Sequence, residues 1–215
     1  MVHHDEFVAD EDVLPTSNPH VIEANLWRIP DLAEKFVYLN DDMYVVRPLA
    51  ESIFFRRNDS PIAWLSKAPY ANWAERETAY HGAWANLRAL RPGTKILTHF
   101  PCALTKSGLK LAREHPDLRD LWSQTCRARD RSVHDIPPIG AAVNLGVADR
   151  RYEVGALPKA LFKENIVRAS TVEKLIALDL CFLCVNKQPL SRTLEFCKAV
   201  RRACGAWSSE WSINW

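Results

Sequence analysis

Long hydrophobic runs are missing from this 215-residue chain: no stretch reaches the roughly 18 apolar residues that a membrane-spanning helix needs. An excess of charge of one sign is missing too. The formal net charge is +2, so no whole-molecule field draws the chain to nucleic acid or to an anionic membrane. Internal repeats and low-complexity segments are absent, which excludes solenoids and repeat arrays. Glycine is scarce, seven residues against thirteen prolines, and together with eight tryptophans this implies a loop-rich fold with large aromatic contacts. The opening Met1-Val-His-His-Asp-Glu6 is polar and acidic and lacks the apolar core of a signal peptide, so a cytoplasmic location is expected.

Six cysteines are present, at 102, 126, 181, 184, 197 and 204. Cys181 and Cys184 sit in Leu180-Cys-Phe-Leu-Cys-Val185, an apolar run that reads as a buried strand. Side chains three apart on a strand point to opposite faces and do not chelate one metal together. Free, interior thiols in a reducing compartment are the expectation.

Along the chain, residues 8–18 read as an acidic loop. Asn18-Pro19 supplies a helix start, and Val21, Ile22, Leu26 and Ile29 recur at near-helical spacing up to Pro30. Residues 31–35 read as a short helical turn, Phe36–Leu39 and Tyr44–Val46 as strands, and Ile62–Trp64 as another. A helix is expected over Glu77–Arg91, ended by Pro92-Gly93. Lys95–Thr98 reads as a strand leading into His99. Helices follow at Leu104–His115, Asp117–Cys126 and, after Pro137-Pro138, across 136–148. Residues 66–76 are irregular and 150–174 carry no clear pattern. Leu180–Val185 is a strand and Ser191–Ala203 a helix. Strands alternating with helices predict an α/β domain with a mainly parallel sheet flanked by helices, whose strand ends face ligands.

Asn40-Asp41-Asp42 follows an apolar strand, at a hairpin tip or strand junction. Two carboxylates there can hold Mg²⁺ or Mn²⁺, hard cations that take oxygen ligands and bridge to phosphates. Asn and Asp also favour such turns for local reasons. His99, just past a strand, can accept a proton from an attacking hydroxyl, or simply bond backbone as a loop residue. Arg127, Arg129 and Arg131 with Asp135 form a cluster of the kind that clamps phosphates bidentately, or a solvated helix end. His3, His4 and Asp5 are candidate ligands at a terminus that also reads as frayed.

Taken in order, these segments resemble the Stealth family, whose members include bacterial capsular polysaccharide phosphotransferases. Residues 1–75 match its second signature region: His3-His-Asp-Glu-Phe7, Leu14-Pro-Thr-Ser-Asn18 with Ser17 in place of the usual Phe, Ile22-Glu23, Arg28-Ile29, Leu32 and Phe36-Val-Tyr-Leu-Asn-Asp-Asp42. Residues 95–150 are similar to the third, with His99-Phe-Pro101 and the spacing of Thr125, Arg131 and Asp135; Cys102 stands where some members have a second His. Residues 180–215 resemble a degraded fourth region, Phe182-Leu-Cys-Val-Asn186, with Lys187 replacing an Asp. A first region, Trp-Val-Asp/Asn-Gly after an Asp-bearing strand, has no counterpart here.

The resemblance implies one incomplete catalytic domain over 1–215, with a Rossmann-like nucleotide-sugar transferase core lacking its first strands. It implies an enzyme that moves a hexose 1-phosphate from a nucleotide-diphosphate sugar to a glycan hydroxyl. Asp42 with Asp41 would hold Mg²⁺ or Mn²⁺, Arg131 would grip the transferring phosphate, and His99 would act as general base. Asn40, Asp135, Asn186, His3 and Asn18 would contact substrate. A catalytically inactive glycan- or partner-binding module is the alternative, favoured by Lys187, and a glycosyltransferase using Asp41-Asp42 for its metal is a third reading.

Overall fold

The computed structural model describes residues 2–45, 47–66, 79–157, 162–163 and 181–184. The expectations for 67–76, 164–174, Asn186, Lys187 and the helix at 191–203 lie outside the described residues. The chain divides into two compact units, Met1–Tyr38 with Phe54–Gly155, and Leu39–Ile53 with Ala156–Trp215. It is mixed helix and strand, with small sheets of two or three strands.

In the first unit, helix α1 (Pro19–Asn25) starts where the sequence places it. Asn18 caps it, its side-chain oxygen accepting from His20 N–H at 3.1 Å, and Pro19 occupies the first turn, where no N–H is needed. Residues 31–35 are not helical. Asp31 takes a positive φ of 56°, which breaks the helical path, and Lys35 is drawn instead into strand β1 (Lys35–Tyr38). This strand runs antiparallel to β4 (Cys102–Thr105), with Phe36 opposite Leu104. Strand β3 (Ile62–Ala63) pairs in parallel with β5 (Glu153–Val154).

Helix α2 (Ala79–Leu90) precedes the region expected to be a strand at Lys95–Thr98. There the structure forms a single bridge, Leu97 to Leu65. The side chain of Asn144 takes the place of a strand partner: its oxygen accepts from Lys95 N–H at 2.9 Å and its amide donates to the Lys95 carbonyl at 3.0 Å. The extended pairing moves downstream to β4, so the next helix, α3 (Lys106–Glu114), begins after Thr105 rather than at Leu104. Thr105 Oγ1 caps it by accepting from Gly108 N–H at 3.0 Å.

Helix α4 (Arg119–Cys126) and α5 (Pro138–Ala148) complete the unit. α5 is apolar nearly all round and is buried over most of its length, as expected of a central helix. Trp84, Leu87, Leu104, Leu109, Trp122 and Leu145 pack in the same core. Each large apolar side chain buried this way contributes about 1.5–3 kcal/mol. Close approach is built in: a Cβ on Gly140 would overlap the Trp84 indole, and one on Gly146 the Tyr152 ring.

The second unit holds a three-stranded sheet in the order β2 (Met43–Val45), β7 (Phe182–Cys184), β6 (Phe162–Lys163). β2 and β7 are antiparallel, with Met43 opposite Cys184, and β6 and β7 are parallel. Since β1 pairs with β4 and β2 with β7, the acidic triplet between them is a junction and not a hairpin tip. Among the described residues, parallel and antiparallel pairings are equal in number, two of each. No described helix is long and apolar enough to cross a membrane.

Candidate functional site

Two sequence motifs more than a hundred residues apart are stitched together at the start of α1. The Asn18 side-chain amide donates to Asp135 Oδ2 at 2.8 Å, to the Ala128 carbonyl at 2.9 Å and to the Asp130 carbonyl at 3.4 Å. Ser17 Oγ donates to Asp130 Oδ1 at 2.7 Å, and Thr16 Oγ1 to the Arg129 carbonyl at 2.6 Å. Arg129 Nε donates back to the Pro15 carbonyl at 2.9 Å. Leu14–Asn18 is thus the seat for loop 127–135. Asp135 has no exposed surface; its Oδ2 also accepts from Ser132 N–H at 3.1 Å and lies 3.4 Å from His20 Nδ1. Thr125 is equally buried. Its Oγ1 donates to the Leu121 carbonyl and accepts from Ile136 N–H, which ties α4 to the end of the loop.

One turn along α1, His20 and Glu23 share a face, as spacing of three on a helix requires. Glu23 is half-buried and accepts from Tyr38 OH at 3.3 Å. Burial raises the pKa of its carboxyl above the usual value, against the lowering pull of His20, the Tyr38 hydrogen bond and the positive charge of Arg131. Arg131 itself is exposed. The phenol of Tyr80 is raised first by burial and also by Glu23, and the Cys102 thiol is pushed up to about 12 by burial and the same carboxyl. Here a carboxyl of raised pKa lies within the field of an accessible guanidinium, a pairing that suits a phosphorylated or hydroxylated ligand. Sequence reasoning did not count Glu23 among the site residues. The signal for it was present in its helical spacing from His20.

In the second unit, Asn40–Asp42 forms the turn into β2, closed by Met43 N–H donating to the Asn40 carbonyl at 3.0 Å. Asp41 is exposed and Asp42 half-buried. The β2–β7 register brings Cys184 beside the turn, and its thiol donates to Asp42 Oδ2 at 3.4 Å. Asp41, Asp42 and the Asn40 amide offer hard oxygen donors from consecutive positions, a set whose chemistry fits Mg²⁺ or Mn²⁺.

His99 is half-buried at a bend in the first unit, directly after Thr98, whose N–H donates to the Trp64 carbonyl at 3.0 Å. His3 is exposed at the head of a 3-10 turn (His4–Glu6), its N–H donating to Glu6 Oε1 at 2.6 Å. Asn186 lies outside the described residues. The structure therefore joins Asn18 to Asp135 directly and puts Glu23 in the field of Arg131, and within the second unit it carries Asn40, Asp41 and Asp42 on one turn.

Residues 1–63 match the family model described as Stealth protein CR2, conserved region 2. An exopolysaccharide phosphotransferase of Streptomyces coelicolor is 33% identical over 164 residues, covering 72% of this chain and 30% of that protein. A capsular polysaccharide phosphotransferase of Neisseria meningitidis serogroup B is 41% identical over 101 residues, 47% of this chain and 26% of the relative. One of Haemophilus influenzae is 52% identical over 66 residues, 31% and 18% respectively. The chain thus spans less than a third of the length of these curated relatives.

Proposed function

This chain belongs to the Stealth family, and from that premise we propose that it serves a sugar-phosphate transferase, moving a hexose 1-phosphate from a nucleotide-diphosphate sugar to a glycan hydroxyl in capsular or exopolysaccharide synthesis. Relatives named as capsular and exopolysaccharide phosphotransferases support the reaction class. The observation that carries the reading is Asp42, a half-buried carboxylate at a strand junction whose oxygen is oriented by the Cys184 thiol.

Asp42 with Asp41 would hold Mg²⁺ or Mn²⁺, which when bound neutralises charge on the diphosphate. Arg131 takes the transferring phosphate, its fork of N–H donors matched to phosphate oxygens. Glu23, keeping its proton to higher pH than an ordinary carboxyl, donates a hydrogen bond to the same group. His99 accepts the proton of the attacking glycan hydroxyl. The new bond joins that hydroxyl oxygen to phosphorus, and the bond broken is the diphosphate P–O bond, releasing a nucleoside monophosphate. The sugar's anomeric C–O bond is untouched. Asn40 and Asn186 position phosphate or sugar hydroxyls, and His3 contributes at the surface. Asn18 and Asp135, without exposed surface, act by fixing the loop that carries Arg131. The thiols of Cys102 and Cys126, outside any disulfide, suit a reducing, cytoplasmic setting.

The test is ³¹P detection of a phosphodiester product, together with nucleoside monophosphate release, in the presence of Mg²⁺ or Mn²⁺. Asp42→Ala should lower turnover by about a hundredfold or more, the usual scale of a lost charge-stabilising group. Unchanged turnover in that variant would remove the metal role. A second reading, a glycan-binding module without catalysis, is favoured by Lys187, since an ammonium replaces a carboxylate of the family pattern. Glycan binding with no phosphodiester formed would select it.

A further inference from the structure

The C-terminal end of α1 opens on a cavity of about 450 Å³ that none of the transfer residues line. One wall is acidic, formed by Asp10, Glu11 and Asp12 on a 3-10 turn (Glu11–Val13). Facing side chains Arg28, Arg113 and Arg127 are basic and come from the segment after α1, the last turn of α3 and the end of α4. Opposite charges normally close such a gap by pairing, yet these do not. Arg28 Nε donates to the Phe7 carbonyl at 3.1 Å, Arg113 reaches only its neighbour Glu114 at 3.9 Å, and Asp10 accepts from Asp12 N–H at 3.2 Å. Both arginines also lie over the Trp27 ring, at 5.3 Å and 5.2 Å from its centroid. Trp122 lines the cavity and is 1% exposed.

Three carboxylates against three guanidiniums leave the cavity without net charge, so neither a bare anion nor a metal ion gains much from it. Vicinal hydroxyls, each both donor and acceptor, satisfy both walls at once. The volume lies within the usual range of about 300–1,000 Å³ for small-ligand sites and admits one or two sugar rings. We propose that this cavity binds a sugar unit of the acceptor glycan, as an anchoring subsite additional to the transfer residues. The proposal rests on the transferase reading for the identity of the glycan, but binding is measured without turnover.

Cys126, half-buried in the same lining, is a built-in reporter. The intact chain is titrated with chitohexaose, cellohexaose and a hyaluronan hexasaccharide, following tryptophan fluorescence and the rate of Cys126 alkylation by iodoacetamide, located by peptide mapping. At least one hexasaccharide should quench fluorescence and slow Cys126 alkylation. Arg127→Ala and Asp12→Asn should each weaken binding by about tenfold, the effect of one lost charge-assisted hydrogen bond. Asp42→Ala should bind as the unsubstituted chain does. No binding or protection at millimolar saccharide, equal affinity in both cavity variants, or equal protection by inorganic phosphate would overturn the proposal. Binding that persists without transfer tells against the transferase reading alone, and transfer without binding against the cavity alone.

Discussion

At the N-terminal end of α1, the Asn18 side chain is engaged through its oxygen and its amide, and the partners of that amide all come from loop 127–135. At the C-terminal end of the same helix, carboxylates and guanidiniums line one cavity and do not pair. Burial explains the contrast. Asn18 and Asp135 have no exposed surface, so a polar group left unmatched there has no water to turn to. Arg28, Arg113, Arg127, Glu11 and Asp12 are exposed, and solvent meets their needs. The first arrangement holds the chain together; the second keeps binding capacity in reserve.

Removing the buried partner should break the first end outright. Asp135→Ala strips the acceptor from the Asn18 amide and Ser132 N–H inside the protein, and should cost about 3 kcal/mol or more of stability in urea denaturation. A loss below about 1 kcal/mol would mean that loop 127–135 is held by other contacts.

Glu23 probes the middle of the helix. Its folded pKa is raised, chiefly by burial, so the folded state keeps the proton while the unfolded chain releases it. Its contribution is therefore full below the unfolded pKa, near 4.5, and declines as pH rises through the raised folded value. Glu23→Gln, which cannot ionise, should gain stability relative to the unsubstituted chain as pH increases across that window. Urea midpoints that keep a constant difference as pH rises from 4.5 would show that burial does not hold the proton.

Arg127→Ala should do least to the fold. Its guanidinium is exposed at the end of α4, so the change should stay under about 1 kcal/mol. A larger loss in thermal or urea unfolding would reassign the basic wall from ligand capacity to scaffolding.

Local signals were legible in the sequence wherever chemistry and spacing agreed. Asn18-Pro19 announced α1, and Pro137-Pro138 announced α5. Lys95–Thr98 misled because its strand-like pattern was satisfied by a side chain, Asn144, from a helix whose nearness no local reading reveals. Residues 31–35 misled because Asp31 adopts a left-handed conformation that composition alone does not require. In the site, the carboxylates of the acidic turn could be read from residue type. What could not be read was that Asn18 and Asp135 would be interior braces, or that Cys184 would reach Asp42. Those facts arise from pairings across 117 and 142 residues, set by tertiary packing.

The same long-range stitching bears on how the protein folds. Asn18 and Asp135 are separated by 117 positions, and bringing them together closes most of the first unit into one loop. Closing so long a loop carries an entropic cost that is recovered only when the contacts at its ends form. Contacts of this separation slow folding, so during synthesis Glu23 and Arg131 gain their shared surroundings only after Asp135 has left the ribosome.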